Sequence, residues 1–292
     1  MKPPLFDYTV AESIDGAVAV LSDGGPDTKV LAGGQSLVPM MNFRLARPGR
    51  LVDVNRIPGL SYIRKEGGEL RIGALARQSS IEHSTLVARG WPLLRAGVQH
   101  VAHPQIRNRG TAGGSVAHGD PGGEIGSVLL AYGGHVRLAS TRGFRDVAAS
   151  DLFLGQFMTA IEPDELLVEL VLPAQPRRTG ASFHEYARRA GDFAIAGVAA
   201  LVTTADDGSC VAASMALLGV ASTPIRALDA ERFLQGEVLT PETIDAAVHA
   251  ATTAVEPHSD VHGSSQFRLR VLKEMVRRSL TTAWSDANGE VR

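Results

Sequence analysis

Cysteine is almost absent: Cys210 is the only one in 292 residues. A single thiol closes no disulfide within the chain. Nor can it hold an iron–sulfur cluster or a cysteine-rich zinc site unaided. Long apolar runs are also missing, because even the stretch from Ala194 to Val202 falls well short of the ~20 residues of a membrane helix. The start, Met1-Lys2-Pro3-Pro4-Leu5-Phe6-Asp7, lacks the apolar core of a secretory signal, so a cytoplasmic, reducing location is expected. Charge of one sign is lacking too: 29 Lys+Arg oppose 31 Asp+Glu. A phosphate-tracking nucleic-acid binder carries a basic excess, so no nucleic-acid partner is expected.

What is present is a globular composition, with 44% apolar and 21% charged residues. The length corresponds to two domains at about 150 residues each. Glycine is plentiful, at 31 residues, and clustered glycine brings backbone close to something.

Apolar spacing at Val10, Ile14, Val18 and Leu21 predicts a helix over 10–22. Strands are predicted at 29–32 and 50–54, with a helical segment from Leu37 to Leu45 between them, giving a small βαβ-like unit. Leu60–Arg64 and Glu69–Ile72 flank Gly67-Gly68 as a hairpin. Gln78–Gly97 reads as helical with breaks at Gly90 and Pro92. Ile125–Ala131 reads as a helix, and His135–Ala139 and Leu166–Leu172 as strands. After a linker at 174–180 come strands at 181–186, 195–203 and 211–219, suited to an antiparallel sheet with Asp207-Gly208 as a turn. Thr240-Pro241-Glu242 opens one helix. Phe267, Val271, Leu272, Met275 and Val276 mark another. The class is α+β.

Two glycine-rich turns stand out. Leu31-Ala32-Gly33-Gly34-Gln35-Ser36 follows a strand, and paired glycines let successive N–H groups form a concave nest for an anion. Ser36 adds a hydroxyl and can cap the next segment. The plain alternative is a tight strand-to-helix turn. Thr111-Ala112-Gly113-Gly114-Ser115 repeats the build, and two such turns favour one extended ligand with two phosphates. Neither turn matches Gly-x-Gly-x-x-Gly or the phosphate loop ending in Lys-Ser/Thr, which disfavours Rossmann dehydrogenases and nucleotide triphosphatases. Asp120, before Pro121, is either a helix cap or, with Glu124, an acceptor for sugar hydroxyls. Arg107 and Arg109 are either solvated or neutralise a diphosphate. His100, His103 and His118 match no metal-ligand spacing, so no metal is expected. Arg268, Arg270, Lys273, Arg277 and Arg278 form a basic face that is either solvated or a docking surface for an acidic partner.

These turns and their surroundings resemble the FAD-binding (medium) subunit of the molybdenum hydroxylases, the family of carbon monoxide and xanthine dehydrogenases. The similarity runs through Ala32–Ser36, His103–Ser115, Ala117-His118-Gly119-Asp120-Pro121 and Arg188-Arg189-Ala190-Gly191-Asp192-Phe193-Ala194. It implies a two-part FAD-binding domain of the vanillyl-alcohol-oxidase (PCMH) type, with subdomains at 1–55 and 56–177. A C-terminal α+β domain at 178–292 would cover the isoalloxazine. Ala32, Gly33, Gly34, Gln35 and Ser36 would hold the diphosphate, flanked by Leu31 and Leu37. Thr111, Gly114, Ser115 and Ala117 would line the other side, Asp120 and Glu124 would bond flavin or ribose hydroxyls, and Leu167 would lie against the cofactor. Ser115 replaces the family's common Asn, and Ala112 its usual Ile. Glu185 stands where many relatives carry Lys and is left out of the site.

The resemblance further implies electron transfer. With one cysteine the chain holds no iron–sulfur centre, so [2Fe–2S] clusters would sit in a small partner subunit and the molybdopterin cofactor in a large one, with heterotrimers pairing as a dimer. FAD in this chain would pass electrons to NAD or another acceptor, with no catalytic acid–base side chain expected here. Two other readings compete: a freestanding FAD-dependent oxidoreductase of the same cofactor fold, and a non-catalytic nucleotide-binding scaffold.

Overall fold

The computed structural model describes residues 2–289; Met1 and residues 290–292, at the ends of the first and third expected units, lie outside them. In chain order the first elements are β1 (Asp7–Val10), α1 (Ile14–Gly24), β2 (Thr28–Leu31), α2 (Leu37–Asn42) and β3 (Arg50–Asp53). The strands form a parallel sheet in the order β1-β3-β2. Strand β1 falls partly where the sequence suggested helix. The helix starts later, at Ile14, because the Ser13 side chain accepts from Gly16 N and caps it there. Ala17, Val18 and Leu21 are its buried face.

Next come β4 (Ile63–Glu66), β5 (Glu69–Gly73), α3 (Gln78–Glu82), α4 (Thr85–Gly90), α5 (Pro92–His100), α6 (Pro104–Arg107), α7 (Ala112–His118) and α8 (Glu124–Ala131). They are followed by β6 (His135–Ser140), β7 (Gly143–Ala148), α9 (Ala149–Leu152), β8 (Phe153–Gly155), β9 (Met158–Thr159) and β10 (Leu166–Leu172). Five strands make one antiparallel sheet, β4-β5-β10-β6-β7. The β4–β5 turn has Gly67 and Gly68 at φ 59° and 92°, the left-handed pair that a primed two-residue turn demands. Strand β10 is buried along its whole length, as a central strand covered on both faces should be. Its single charge, Glu169, is met by Arg71 Nη1 at 2.8 Å and the Tyr62 hydroxyl at 2.9 Å.

The last elements are β11 (Thr179–Tyr186), β12 (Ala196–Thr204), β13 (Cys210–Leu218), β14 (Ile225–Arg226), α10 (Leu228–Leu234), α11 (Pro241–Thr252) and α12 (Ser265–Ala287). The strands form an antiparallel sheet in chain order. Strand alternation divides its two faces. Val198, Ala200 and Val202 pack on one side with Leu272, Val276 and Trp284 of α12. Phe183, Ala199 and Leu218 pack on the other, in the core of the preceding sheet with Leu94 and Val128. The third sheet is thereby a wall between its own helices and the rest of the molecule.

Of the basic face of α12 only Arg268 is buried, while Arg270, Lys273, Arg277 and Arg278 are exposed. Arg268 is 4% exposed, donates to the carbonyls of Ile195 and Gly219 at 2.8 and 2.9 Å, and meets Asp260 at 2.7 Å. Arg277 pairs with Asp245, and Arg278 with Glu274. Cys210 is buried, and burial pushes its thiol up to about 11.

Candidate functional site

Loop one leaves the carboxyl end of β2, the edge of a parallel sheet where ligands gather. Gly34 lies at φ 73°, the left-handed conformation that glycine adopts without steric penalty. The Gln35 side chain donates to Gly33 O at 2.9 Å. Among the described residues, none of the backbone N–H groups of Gly33, Gly34, Gln35 and Ser36 donates to another group of the chain. Four consecutive unengaged donors on a glycine turn are an anion nest. Ser36 occupies the N-cap position of α2 but makes no side-chain capping bond, contrary to the expectation that it would cap; its hydroxyl is exposed with the turn.

Loop two is built differently. Thr111 caps α7 by accepting from Gly114 N at 3.1 Å, and Ser115 N donates to Thr111 O. Ala112 N and Gly113 N donate to the carbonyls of Ala76 and Ala74, both at 2.9 Å. Its donors are therefore engaged, and loop two does not repeat the open nest of loop one. Glycine is required there for close approach: a Cβ on Gly113 would lie 2.9 Å from both Cα and O of Ala74. Gly114 and Ala117 remain exposed and Ser115 half-exposed, so this end of α7 presents backbone and a hydroxyl outward.

The two turns meet. A Cβ on Gly33 would stand 2.5 Å from Arg109 O and 2.9 Å from Gly110 Cα, so only a side-chain-free residue lets the backbones touch. Residues that sequence reasoning missed fasten the junction. Asn55, just past β3, donates to Ala32 O at 2.8 Å and to Asp53 at 2.7 Å. Arg77 donates to Asn55 Oδ1 at 2.8 Å and to Arg109 O at 2.6 Å. Burial and the neighbouring Arg109 charge hold the Arg77 guanidinium below its ordinary value. Neither arginine has a carboxylate in ion-pair contact among the described residues, so two cations stand beside the nest. The one signal in the sequence was position: Asn55 and Arg77 each follow a strand.

Other expected members sit elsewhere. Leu31 packs beside Gly34, and Leu37 opens α2. Leu167 lies in β10, 6% exposed, within the large core. Asp120 and Glu124 flank the turn between α7 and α8, one helix of seven residues away from Thr111, or ~10 Å of rise. Asp120 does not cap α8; its carboxylate accepts from Gly122 N at 2.8 Å, and burial raises it above the usual range. Glu124 is buried at the start of α8 and is pushed up to about 8, first by burial and then by the charge of Glu185. Arg107 is 8% exposed and is bound to Glu82 and to the carbonyls of Val101 and Ala102. It braces α6 and is not available to a diphosphate. The three histidines are dispersed: His100 packs on Phe183, His118 on Phe157, and His103 against Gly191. That last contact ties the Arg188–Ala194 loop to the segment entering loop two.

A nest of unengaged N–H donors, a bare backbone contact between the two turns and two arginines without carboxylate partners suit a dinucleotide's diphosphate. Residues 4–175 match the family described as the FAD binding domain in molybdopterin dehydrogenase. Residues 181–283 match the CO dehydrogenase flavoprotein C-terminal domain. The chain belongs to this family, as an FAD-binding oxidoreductase subunit of the molybdenum hydroxylase type. It is 46% identical over 97% of its length to the 6-hydroxypseudooxynicotine dehydrogenase complex subunit alpha of Paenarthrobacter nicotinovorans, covering 96% of that protein. The nicotine 6-hydroxylase medium subunit of the same organism is 40% identical, with 97% and 99% of the two chains covered. A solved structure of carbon monoxide dehydrogenase from Hydrogenophaga pseudoflava superposes with a TM-score of 0.95 at 40% identity, over 98% of this chain and 99% of that one.

Proposed function

We propose that this chain is the electron-transfer flavoprotein of a three-part complex, taking electrons one at a time from [2Fe–2S] centres of a small partner subunit. A large subunit would carry the molybdenum cofactor and hydroxylate the substrate, with heterotrimers pairing as a dimer in the cytoplasm. The reading treats residues 1–55 and 56–177 as the two parts of a PCMH-type FAD domain and 178–292 as its cover. FAD, when bound, supplies the change from single-electron to two-electron transfer, to NAD or another acceptor.

The chain's own residues bind and orient. The N–H groups of Gly33–Ser36 would receive one side of the diphosphate, while the Gly114 backbone and the Ser115 hydroxyl would face its other side. Arg77 and Arg109 offset its charge, and Arg77 also keeps the two turns in register. Leu31, Leu37, Thr111 and Ala117 would line the cleft, Asp120 and Glu124 would lie along the ribityl and ribose portion, and Leu167 would support the ring from the core. The observation that carries this reading is the backbone contact between turns almost eighty residues apart, at Gly33 and Arg109-Gly110.

The test is purification of the chain from its native source under mild conditions. The reading requires a yellow protein that releases FAD, accompanied by a large molybdenum-containing and a small iron–sulfur polypeptide on mass analysis. A flavin-bearing chain isolated alone, turning over its own substrate, would favour the freestanding oxidoreductase. A colourless chain would favour the scaffold.

A further inference from the structure

The glycines that open loop one also leave it loose. With Gly33 and Gly34 side by side, the peptide planes around them turn at little steric cost. A plane that turned over would aim a carbonyl oxygen, in place of an N–H, at the diphosphate. In a trans peptide the C=O and the N–H point in opposite directions, and none of the described peptide bonds is cis. Whatever holds the carbonyl of one residue therefore aims the N–H of the next. Three successive carbonyls are held: Leu31 O by Val54 N at 3.1 Å, Ala32 O by the Asn55 side chain at 2.8 Å and Gly33 O by the Gln35 side chain at 2.9 Å. The last two bonds aim the N–H groups of Gly33 and Gly34.

The Asn55 amide can hold Ala32 O in one orientation only, and Asp53 fixes that orientation. Asn55 Oδ1 faces Arg77 Nη2 at 2.8 Å, a group that only donates. Its Nδ2 faces Ala32 O and, at 2.7 Å, Asp53 Oδ1, both of which only accept. Asp53 Oδ1 also accepts from Asn55 N at 2.8 Å, and Oδ2 accepts from the Tyr8 hydroxyl at 2.5 Å. Asp53 ends β3, the central strand of the parallel sheet, where it pairs with Val10 of β1 and Leu31 of β2. The carboxylate is thus braced from both sides. Its side chain makes no hydrogen bond to Gly33–Ser36 among the described residues. Its charge is otherwise out of place, because one amide nitrogen away from Ala32 O it opposes a diphosphate in the nest.

We infer that Asp53 is a positioning residue of the nest: by locking the Asn55 amide it sets the peptide between Ala32 and Gly33 so that the Gly33 N–H points at the diphosphate. This rests on the FAD reading above, and the test keeps the two apart. In the full chain freed of flavin, Asp53→Ala should weaken FAD binding by roughly 3- to 30-fold, the scale of one or two hydrogen bonds. A carboxylate acting through its charge alone predicts the opposite, tighter binding. Asp53→Asn keeps an oxygen for Asn55 and presents an N–H to the Tyr8 oxygen, so it should recover most of the affinity. Asn55→Ala should reproduce the loss, and adding Asp53→Ala to it should cost nothing further, because the one acts through the other. Melting curves check that each variant is folded. With alanine labelled at the carbonyl carbon and glycine at nitrogen, magnetic resonance reads the Gly33 amide without any ligand. That amide should show the order of rigid backbone in the unaltered chain and in Asp53→Asn, and lose it in Asp53→Ala. Undiminished FAD binding in Asp53→Ala, an Asp53→Asn as weak as Asp53→Ala, losses that add in the double variant, or a Gly33 amide indifferent to Asp53→Ala would each overturn the proposal. A Gly33 amide that responds as described in a chain that binds no FAD upholds the positioning role and defeats the cofactor reading instead.

Discussion

Replacing Gly33 by alanine adds one methyl group at the point where the two turns touch. That carbon would stand 2.5 Å from Arg109 O, 2.9 Å from Gly110 Cα and 3.1 Å from Arg109 C. All three atoms are backbone, so no side chain can swing aside, and the turns must part by roughly 1 Å to restore ordinary contact. Gly33 does not have positive φ, so alanine carries no conformational penalty and the change isolates the close approach. Overpacking of this kind costs about 1–3 kcal/mol. If that cost falls on the cofactor-bound state, FAD affinity drops by about 5- to 150-fold, at tenfold per 1.4 kcal/mol. If it falls on the fold, the melting temperature drops by about 2–4 °C per kcal/mol for a unit of 150–250 residues. The assay is a fluorescence titration with FAD, run beside a thermal melt. Gly90→Ala is the control, because a Cβ there meets nothing within 4 Å. Gly33→Ala with wild-type affinity and an unchanged melt would refute the account of the junction.

Arg77→Met keeps the aliphatic stem but removes both bonds to Asn55 and Arg109; FAD affinity should fall by about tenfold or more, as for a lost charge-assisted bond of 1.5–3 kcal/mol, measured by the same titration. Arg268→Met strands two buried carbonyls and the Asp260 carboxylate, and chemical denaturation should record a loss of about 3–5 kcal/mol. Glu124 predicts a particular pH slope. Unfolded, it ionises near 4.5, while the folded chain holds the proton to about 8, so the native state binds more protons between those values. Its contribution to stability is therefore greatest below 4.5 and declines as pH rises to about 8, by at most ~1.4 kcal/mol per unit. Denaturant midpoints of Glu124→Gln should lack that part of the decline, and a slope identical to wild type would contradict the assignment.

Local signals carried much of the fold. Alternation along 196–204 divides β12 between two cores, and Thr240-Pro241 starts α11 where the capping residues stand, with Thr240 Oγ1 accepting from Thr243 N at 3.1 Å. Strand β1 was hidden because four residues carry too little periodicity to outweigh a helical pattern beginning at Val10. At the site, the glycines identified both turns, but not that only loop one keeps its donors unengaged; that depends on the carbonyls of Ala74 and Ala76, which the fold brings to loop two. Arg107 and Arg109 look alike in sequence, and a carboxylate 25 residues away, Glu82, makes one of them structural. Asn55 and Arg77 offered only their place after a strand, because the partners that matter, Ala32 O and Arg109 O, are remote in the chain.

The central claim is that two distant turns grip one diphosphate, and a crystal structure of the full chain with FAD tests it most directly. The account predicts the diphosphate oxygens within hydrogen-bond distance of the N–H groups of Gly33–Ser36, with Gly114 and Ser115 against their other side and Arg77 close by. FAD held elsewhere, with both turns facing solvent, would contradict it.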